Sequence, residues 1–198
     1  NAGLVHYSII SQSPSGQWFS IGRTDGKLVT TKIIDYEETN QISLVIEARD
    51  QPDDKKDSLS RTVTAVIMIK DQNDNAPEFF LDRTEFNILE DEPVGYPVVH
   101  LVARDDDSGQ NGRITYSIES GNNGKYFSLN PETGLLAIAK NLDREAVQSI
   151  RLQIIARDHG YPQKSSEVFI TANIIDVNDN KPKFTQTVYN ATIEENQP

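Results

Sequence analysis

The chain has 198 residues, a formal net charge of −11, 36% hydrophobic and 25% charged residues, and no cysteine. Its length admits one large domain or two ordinary ones, and its acidity argues against nucleic acid as a partner, because phosphate binding takes clustered Lys and Arg. Disulfides, zinc–thiolate sites and a cysteine nucleophile are excluded, and no run of 18 apolar residues is present to cross a membrane as a helix.

In chain order, LVHYSI (Leu4–Ile9) opens a series of short segments rich in Val, Ile and Thr, separated by Gly, Asn, Asp and Pro. GQWFSI, RTDGKLVT, the acidic corner IIDYEE around Asp35 and Glu37, and SLVIEARD ending at Asp50 follow, and then VTAVIMIK runs into DQNDNAP at Asp71–Pro77. The series then returns as RITYSI, GKYFSL, PETGLLAI, NLDREA around Asp143 and Glu145, RLQIIARD ending at Asp158, and DVNDNKP at Asp176–Pro182. The offset is 108 residues from Asp35 to Asp143 and from Asp50 to Asp158, and 105 from Asp74 to Asp179. A period that long is a duplicated domain rather than a solenoid. Period-two alternation in RITYSIES, and turn chemistry at NNG and ETG, predict strands. Helical spacing extends to no more than one turn, near DREAVQ. Roughly seven strands in about 105 residues is the size of an immunoglobulin-like sandwich, so the expected fold is all-β, two such sandwiches in tandem.

The copies are uneven. The first has no counterpart of Glu85–Gln110, and TVYNATIEENQP at the far end resembles TEFNILEDEP. The expected organisation is residues 1–75 as a unit lacking its first strands, 76–180 as a complete unit, and 181–198 as the opening strand of a third. Bare strand edges in the first unit lead us to expect that the parent protein continues in both directions.

Oxygen-bearing residues recur at strand ends and turns, which in a sandwich collect at the poles of each domain. Asp35, Glu37, Asp71, Asn73, Asp74, Asn75, Asp105, Asp107, Asn111 and Asp158 make one set, and Glu90, Asp143, Glu145, Asp176 and Asp179 a second. Two carboxylates ~5 Å apart at an effective dielectric of ~20 repel by about 3 kcal/mol. A hard cation offsets this, and a mixture of carboxylates, amides and carbonyls suits Ca²⁺ better than Mg²⁺. An EF-hand is excluded: counted from Asp105 the twelfth position is Tyr116, where a bidentate Glu is needed, and from Asp71 the sixth is Ala76 rather than Gly. His6, His100 and His159 lie on separate segments and are expected to be structural. Asp143 and Glu145, a pair of the kind used in glycoside chemistry, are tied to the metal pattern instead. Trp18 aligns with Tyr126 in mid-unit and is expected in a core, and Asn190-Ala191-Thr192 is a glycosylation sequon.

DQNDNAPEF and DVNDNKPKF resemble the inter-repeat linkers of cadherins. DYE and DRE, the DxDSGQNG stretch of Asp105–Gly112, ARD at Asp50 and Asp158, and Glu90 ahead of Val94-Gly95 resemble the remaining cadherin calcium motifs. The resemblance covers essentially the whole chain. It implies seven-stranded Greek-key cadherin repeats strung end to end, with three Ca²⁺ at each junction. By it, Asp35, Glu37 and Asp74 hold the first ion. Glu37, Asp71, the Gln72 carbonyl, Asp74 and Asp107 hold the second. Asn73, the Asn75 carbonyl, Asp105, Asp107, the Asn111 carbonyl and Asp158 hold the third. Glu90, Asp143, Glu145, Asp176 and Asp179 belong to an incomplete set at the far end, and the Glu that the family adds to the first two ions from an opening strand falls before Asn1. The implied function is calcium-dependent adhesion, without catalysis, in the extracellular part of a plasma-membrane glycoprotein, with other cadherin ectodomains (homophilic or heterophilic) and the neighbouring repeats of the same chain as partners. A second reading makes the repeats accessories of a calcium-dependent carbohydrate-binding protein or enzyme. No cluster of aromatics beside the acidic positions favours it.

Overall fold

The computed structural model describes residues 4–50 and 58–195, where every regular element is a β-strand. The first unit comprises β1 (Val5–Ser13), β2 (Phe19–Ile21), β3 (Leu28–Thr30), β4 (Gln41–Asp50) and β5 (Ser60–Met68). β4 is the centre of an antiparallel three-stranded sheet with β1 and β5 on its flanks, and β2 and β3 form a hairpin. Because side chains alternate along a strand, β4 turns Ile42, Leu44 and Ile46 to one face. Trp18 is buried on Ile42 and Leu44, with Phe19 and Leu28 packed around them. The indole N–H donates to the Pro14 carbonyl at 2.9 Å, and the Lys32 ammonium lies 3.4 Å from the ring centroid. The core position expected of Trp18 is the one it occupies.

The second unit comprises β6 (Glu78–Phe79), β7 (Glu85–Leu89), β8 (Pro97–His100), β9 (Ala103–Arg104), β10 (Thr115–Ser120), β11 (Phe127–Leu129), β12 (Leu135–Ile138), β13 (Ser149–Arg157) and β14 (Ser165–Ile175). These form two layers. One sheet runs β10-β13-β14-β7, the other runs β11-β12-β8, and β6 pairs with β9. The opening strand is split because β6 pairs with β9 while β7 crosses to β14. With β6/β7 and β8/β9 each taken as one interrupted strand, the unit has seven strands. Leu101, Leu136, Ile138, Leu152, Ile154 and Ile170 are each fully buried between the layers, and Phe86, Ile88 and Phe127 complete the same cluster.

Two features depart from antiparallel alternation alone. β7 runs parallel to β14, with Thr171 opposite Glu85 and Ile175 opposite Leu89. Period two fixes which face a residue occupies but not the direction of its neighbour. In addition, Lys181–Glu195 forms no strand, and each of its residues is exposed. β7 takes its partner from β14, the last strand of its own unit, and among the described residues no strand pairs with Lys181–Glu195.

The first unit is thinly packed. Ala65 and Ile67 on β5, with Ile69 just after it, are only half-buried on the core, whereas their counterparts Ile170, Ala172 and Ile174 on β14 are buried. Among the described residues, β14 has β7 along its outer edge and β5 has no strand there. Burial of a large apolar side chain contributes about 1.5–3 kcal/mol, so the first unit has less holding it. Trp18, the single tryptophan, therefore reports the weaker half. In chelator, its fluorescence transition on heating is expected to precede the main far-ultraviolet circular dichroism transition, and coincident transitions would show the two units to be equally stable or fully coupled.

Candidate metal centre

The acidic corner of the first unit follows β3. The Glu37 amide donates to Asp35 Oδ1 at 2.9 Å, and Thr39 N to the Asp35 carbonyl at 3.0 Å. This turn places two carboxylates side by side. The hydrogen bond between them, followed by desolvation and the charge of Asp74, pushes the Glu37 carboxyl up to about 7, and the same hydrogen bond lowers Asp35. A cleft of about 220 Å³ separates this corner from the linker, with Asp35, Glu37, Gln72 and Asp74 among its lining residues.

The linker leaves β5 and lies against the second unit. Asp71 Oδ2 accepts from the Ser108 amide, the Ser108 hydroxyl and Asn111 Nδ2, each at 3.0 Å. Desolvation raises the Asp71 carboxyl, but these donors outweigh it and hold the group below its ordinary range. Asn73 is buried and donates through Nδ2 to Asp158 Oδ2 at 3.0 Å and to the Pro162 carbonyl at 2.6 Å. Asn75 donates to Asp107 through its backbone amide at 3.2 Å and its side-chain amide at 2.7 Å. The Gln72 carbonyl accepts from Asp74 N at 2.9 Å.

Asp105 and Asp107 belong to the loop between β9 and β10. Burial raises the Asp105 carboxyl, aided by the charges of Asp107, Asp158 and Asp106. Asp158, completely buried at the end of β13, accepts from Gly160 N at 3.0 Å and Lys164 N at 3.0 Å. Gly160 has no side chain for a steric reason: a Cβ there would collide with the side chains of Asn73 and Asn111.

Two observations test this set against a cation. Glu37, Asp74 and Asp107, from the first unit, the linker and the second unit, each offer a carboxylate oxygen, all within 4.8 Å of one another. Asp71 Oδ1, Asn73 Oδ1 and Asp105 Oδ2 are buried without a hydrogen-bond partner, and an unpaired buried acceptor costs about 1–3 kcal/mol. Oxygen atoms that are clustered, repelling and unsatisfied fit a hard cation, and Ca²⁺ tolerates such a mixed, irregular donor set.

At the far end, Glu90, Glu145 and Asp179 form a second group of carboxylate oxygens within 4.8 Å. Glu90 is buried, accepting from Arg144 N and Val177 N at 2.7 Å each. Asp143 and Asp176 lie outside that group. Asp143 Oδ1 accepts from Ala146 N at 3.1 Å within its own turn, and Asp176 is exposed. His6 accepts from Arg23 Nε at 3.2 Å, His100 Nε2 is 2.6 Å from the Thr133 carbonyl, and His159 N donates to the Gln110 carbonyl at 3.1 Å, so the three remain apart. Sequence reasoning missed Ser108, Gly160 and Lys164. Ser108 sits within the DDDSGQNG stretch, where its hydroxyl was a visible signal, whereas the other two have no motif.

The Cadherin domain family model matches residues 1–70 and 84–175. The chain is 38% identical over 192 residues to mouse Cadherin EGF LAG seven-pass G-type receptor 2, an alignment covering 97% of this chain and 6% of the receptor. Among solved structures, the Protocadherin GammaB4 extracellular domain matches with a TM-score of 0.82 and 27% identity, over 88% of this chain and 29% of that one. A Protocadherin gammaB7 EC3-6 cis-dimer matches with a TM-score of 0.77 and 28% identity, over 88% of this chain and 42% of that one. The all-β two-layer unit with oxygen-rich poles is thus that of cadherin repeats. This chain belongs to the cadherin family, and it spans about 4–6% of the length of the curated relatives it matches.

The Glu37 carboxyl gives a pH test. A carboxyl raised to about 7 keeps its proton below that pH and must release it to serve as a cation ligand. Calcium affinity at this junction is therefore expected to be about tenfold weaker at pH 6 than at pH 8. Titration calorimetry across that range checks it, and Glu37→Gln is expected to flatten the dependence.

Proposed function

We propose that this chain is a segment of the extracellular part of a plasma-membrane cell-adhesion receptor, in which Ca²⁺ fixes the angle between successive cadherin repeats so that the ectodomain acts as a stiff spacer. The observation that carries the reading is the convergence of Glu37, Asp74 and Asp107 from three successive parts of the chain within 4.8 Å. In this reading the repeats divide at 75/76 and 180/181, with residues 181–198 opening a third.

Asp35, Glu37 and Asp74 hold one ion. Glu37, Asp71, the Gln72 carbonyl, Asp74 and Asp107 hold a second, and Asn73, the Asn75 carbonyl, Asp105, Asp107, the Asn111 carbonyl and Asp158 hold a third. When bound, Ca²⁺ supplies positive charge and oxygen coordination shared by both repeats. Glu37 and Asp35 anchor the first repeat, Asp74 presents the linker, and Asp105, Asp107 and Asp158 anchor the second. Glu90, Asp143, Glu145, Asp176 and Asp179 serve the following junction. Partners of matching chemistry are other cadherin ectodomains, like or unlike this one. Support comes from the cis-dimer reported for the Protocadherin gammaB7 fragment, and the repeats themselves are assigned no catalysis. Asn190, exposed within its sequon, is assigned an N-linked glycan.

The junction reading predicts dissociation constants on the order of 10⁻⁴ to 10⁻³ M, the range of extracellular modules. Asp74→Ala is expected to weaken calorimetric binding by at least tenfold. X-ray scattering is expected to show a more extended, better defined particle in millimolar Ca²⁺ than in chelator, and identical profiles would overturn the spacer role. Glycan occupancy is read by mass spectrometry of chain secreted from animal cells, with a mass increase at Asn190 that the Asn190→Gln variant abolishes.

A further inference from the structure

The bonds around the linker are lopsided. Asp71, Asn73 and Asn75 are joined to Ser108, Asn111, Asp107, Asp158 and Pro162 of the second repeat by the hydrogen bonds described above. The Lys164 ammonium adds one more, donating to the Asp74 carbonyl at 2.6 Å across 90 residues of sequence. Among the described residues, no hydrogen bond joins residues 33–38 of the first repeat to residues 70–75, and the two stretches face each other across the cleft. The last backbone tie of the first repeat to this strand end is Ile69 N to the Asn40 carbonyl at 2.9 Å.

We propose that Lys164 is a positioning residue that clamps the linker to the second repeat independently of metal, so that the metal-free junction bends at Ile69–Lys70 and not within the linker. Lys164 is suited to this. It is the one side-chain cation hydrogen-bonded to linker residues 71–75 among those described. Hydrogen bonds to charged groups are stronger than neutral ones. Its backbone amide is already fixed on the buried Asp158 carboxylate, so its stem starts from a rigid point. With the linker half assembled in advance, calcium binding orders a single interface, between the corner at Asp35–Glu37 and a preformed face bearing Asp74 and Asp107. The inference deepens the calcium reading of the junction, and only the calcium arm of its test depends on that reading.

The test uses residual dipolar couplings of backbone amides in the 198-residue chain, with and without Lys164→Met. In chelator, the wild-type couplings of Gln72, Asn73, Asp74 and Asn75 are expected to fit the alignment of the second repeat and not that of the first. In Lys164→Met the linker couplings are expected to shrink by about half or more, while those of Ile154 and Ile170 keep their values and show the repeat still folded. Wild-type linker couplings that follow the first repeat or average towards zero would overturn the clamp, as would a variant indistinguishable from wild type. In excess Ca²⁺ both proteins are expected to give one alignment for both repeats. If calcium changes neither protein, the calcium reading fails and the clamp is judged on the chelator arm alone.

Discussion

Carboxylate repulsion across the junction is the constraint around which the molecule is organised. Glu37, Asp74 and Asp107 bring like charges together from three parts of the chain, and burial deprives neighbouring oxygens of water without giving them donors. Such an arrangement is unfavourable in isolation. It persists because each acid is fixed by its own local structure. The Asp35–Glu37 turn is closed by backbone amides, Asp71 is held by Ser108 and Asn111, and Asp158 by the amides of Gly160 and Lys164. The sandwich cores supply the rigidity, and the poles supply a geometry that is incomplete without positive charge.

The two repeats contribute unequally. The second encloses a continuous apolar cluster between two sheets and presents most of the preformed acceptors. The first offers a smaller core around Trp18, Ile42 and Leu44, and its contribution to the junction is a single acidic turn. Structure therefore propagates from the second repeat outward through the linker, and the first repeat meets a surface that is already shaped.

The sequence was most informative where chemistry constrains residue type locally. DQNDNAP, DYE and DDDSGQNG are legible because crowding carboxylates at strand ends is costly unless a cation offsets the repulsion, and the 108-residue offset exposes the duplication. Alternation in RITYSIES was enough to predict a strand where β10 runs. What stayed hidden depends on non-local register. The bond from Lys164 to Asp74, the space left by Gly160 for Asn73, and the parallel course of β7 beside β14 each join residues about 85 or more apart in the chain. The motif assigns Asp143 and Asp176 alongside Glu145, yet only Glu145 joins Glu90 and Asp179, because turn geometry rather than residue type decides which carboxylates converge. The segment 181–195 reads as a strand by pattern, but a strand also requires a partner.

The parallel pairing of β7 with β14 has a mechanical consequence. These two strands carry the incoming and outgoing ends of the second repeat, so tension applied at those two ends drags them in opposite directions along their shared ladder. The load falls across the whole row of bonds from Thr171–Glu85 to Ile175–Leu89 at once, in shear. An antiparallel hairpin at the same place would peel open one rung at a time. A repeat pulled from its two ends gains toughness from that strand direction alone, before any metal is counted.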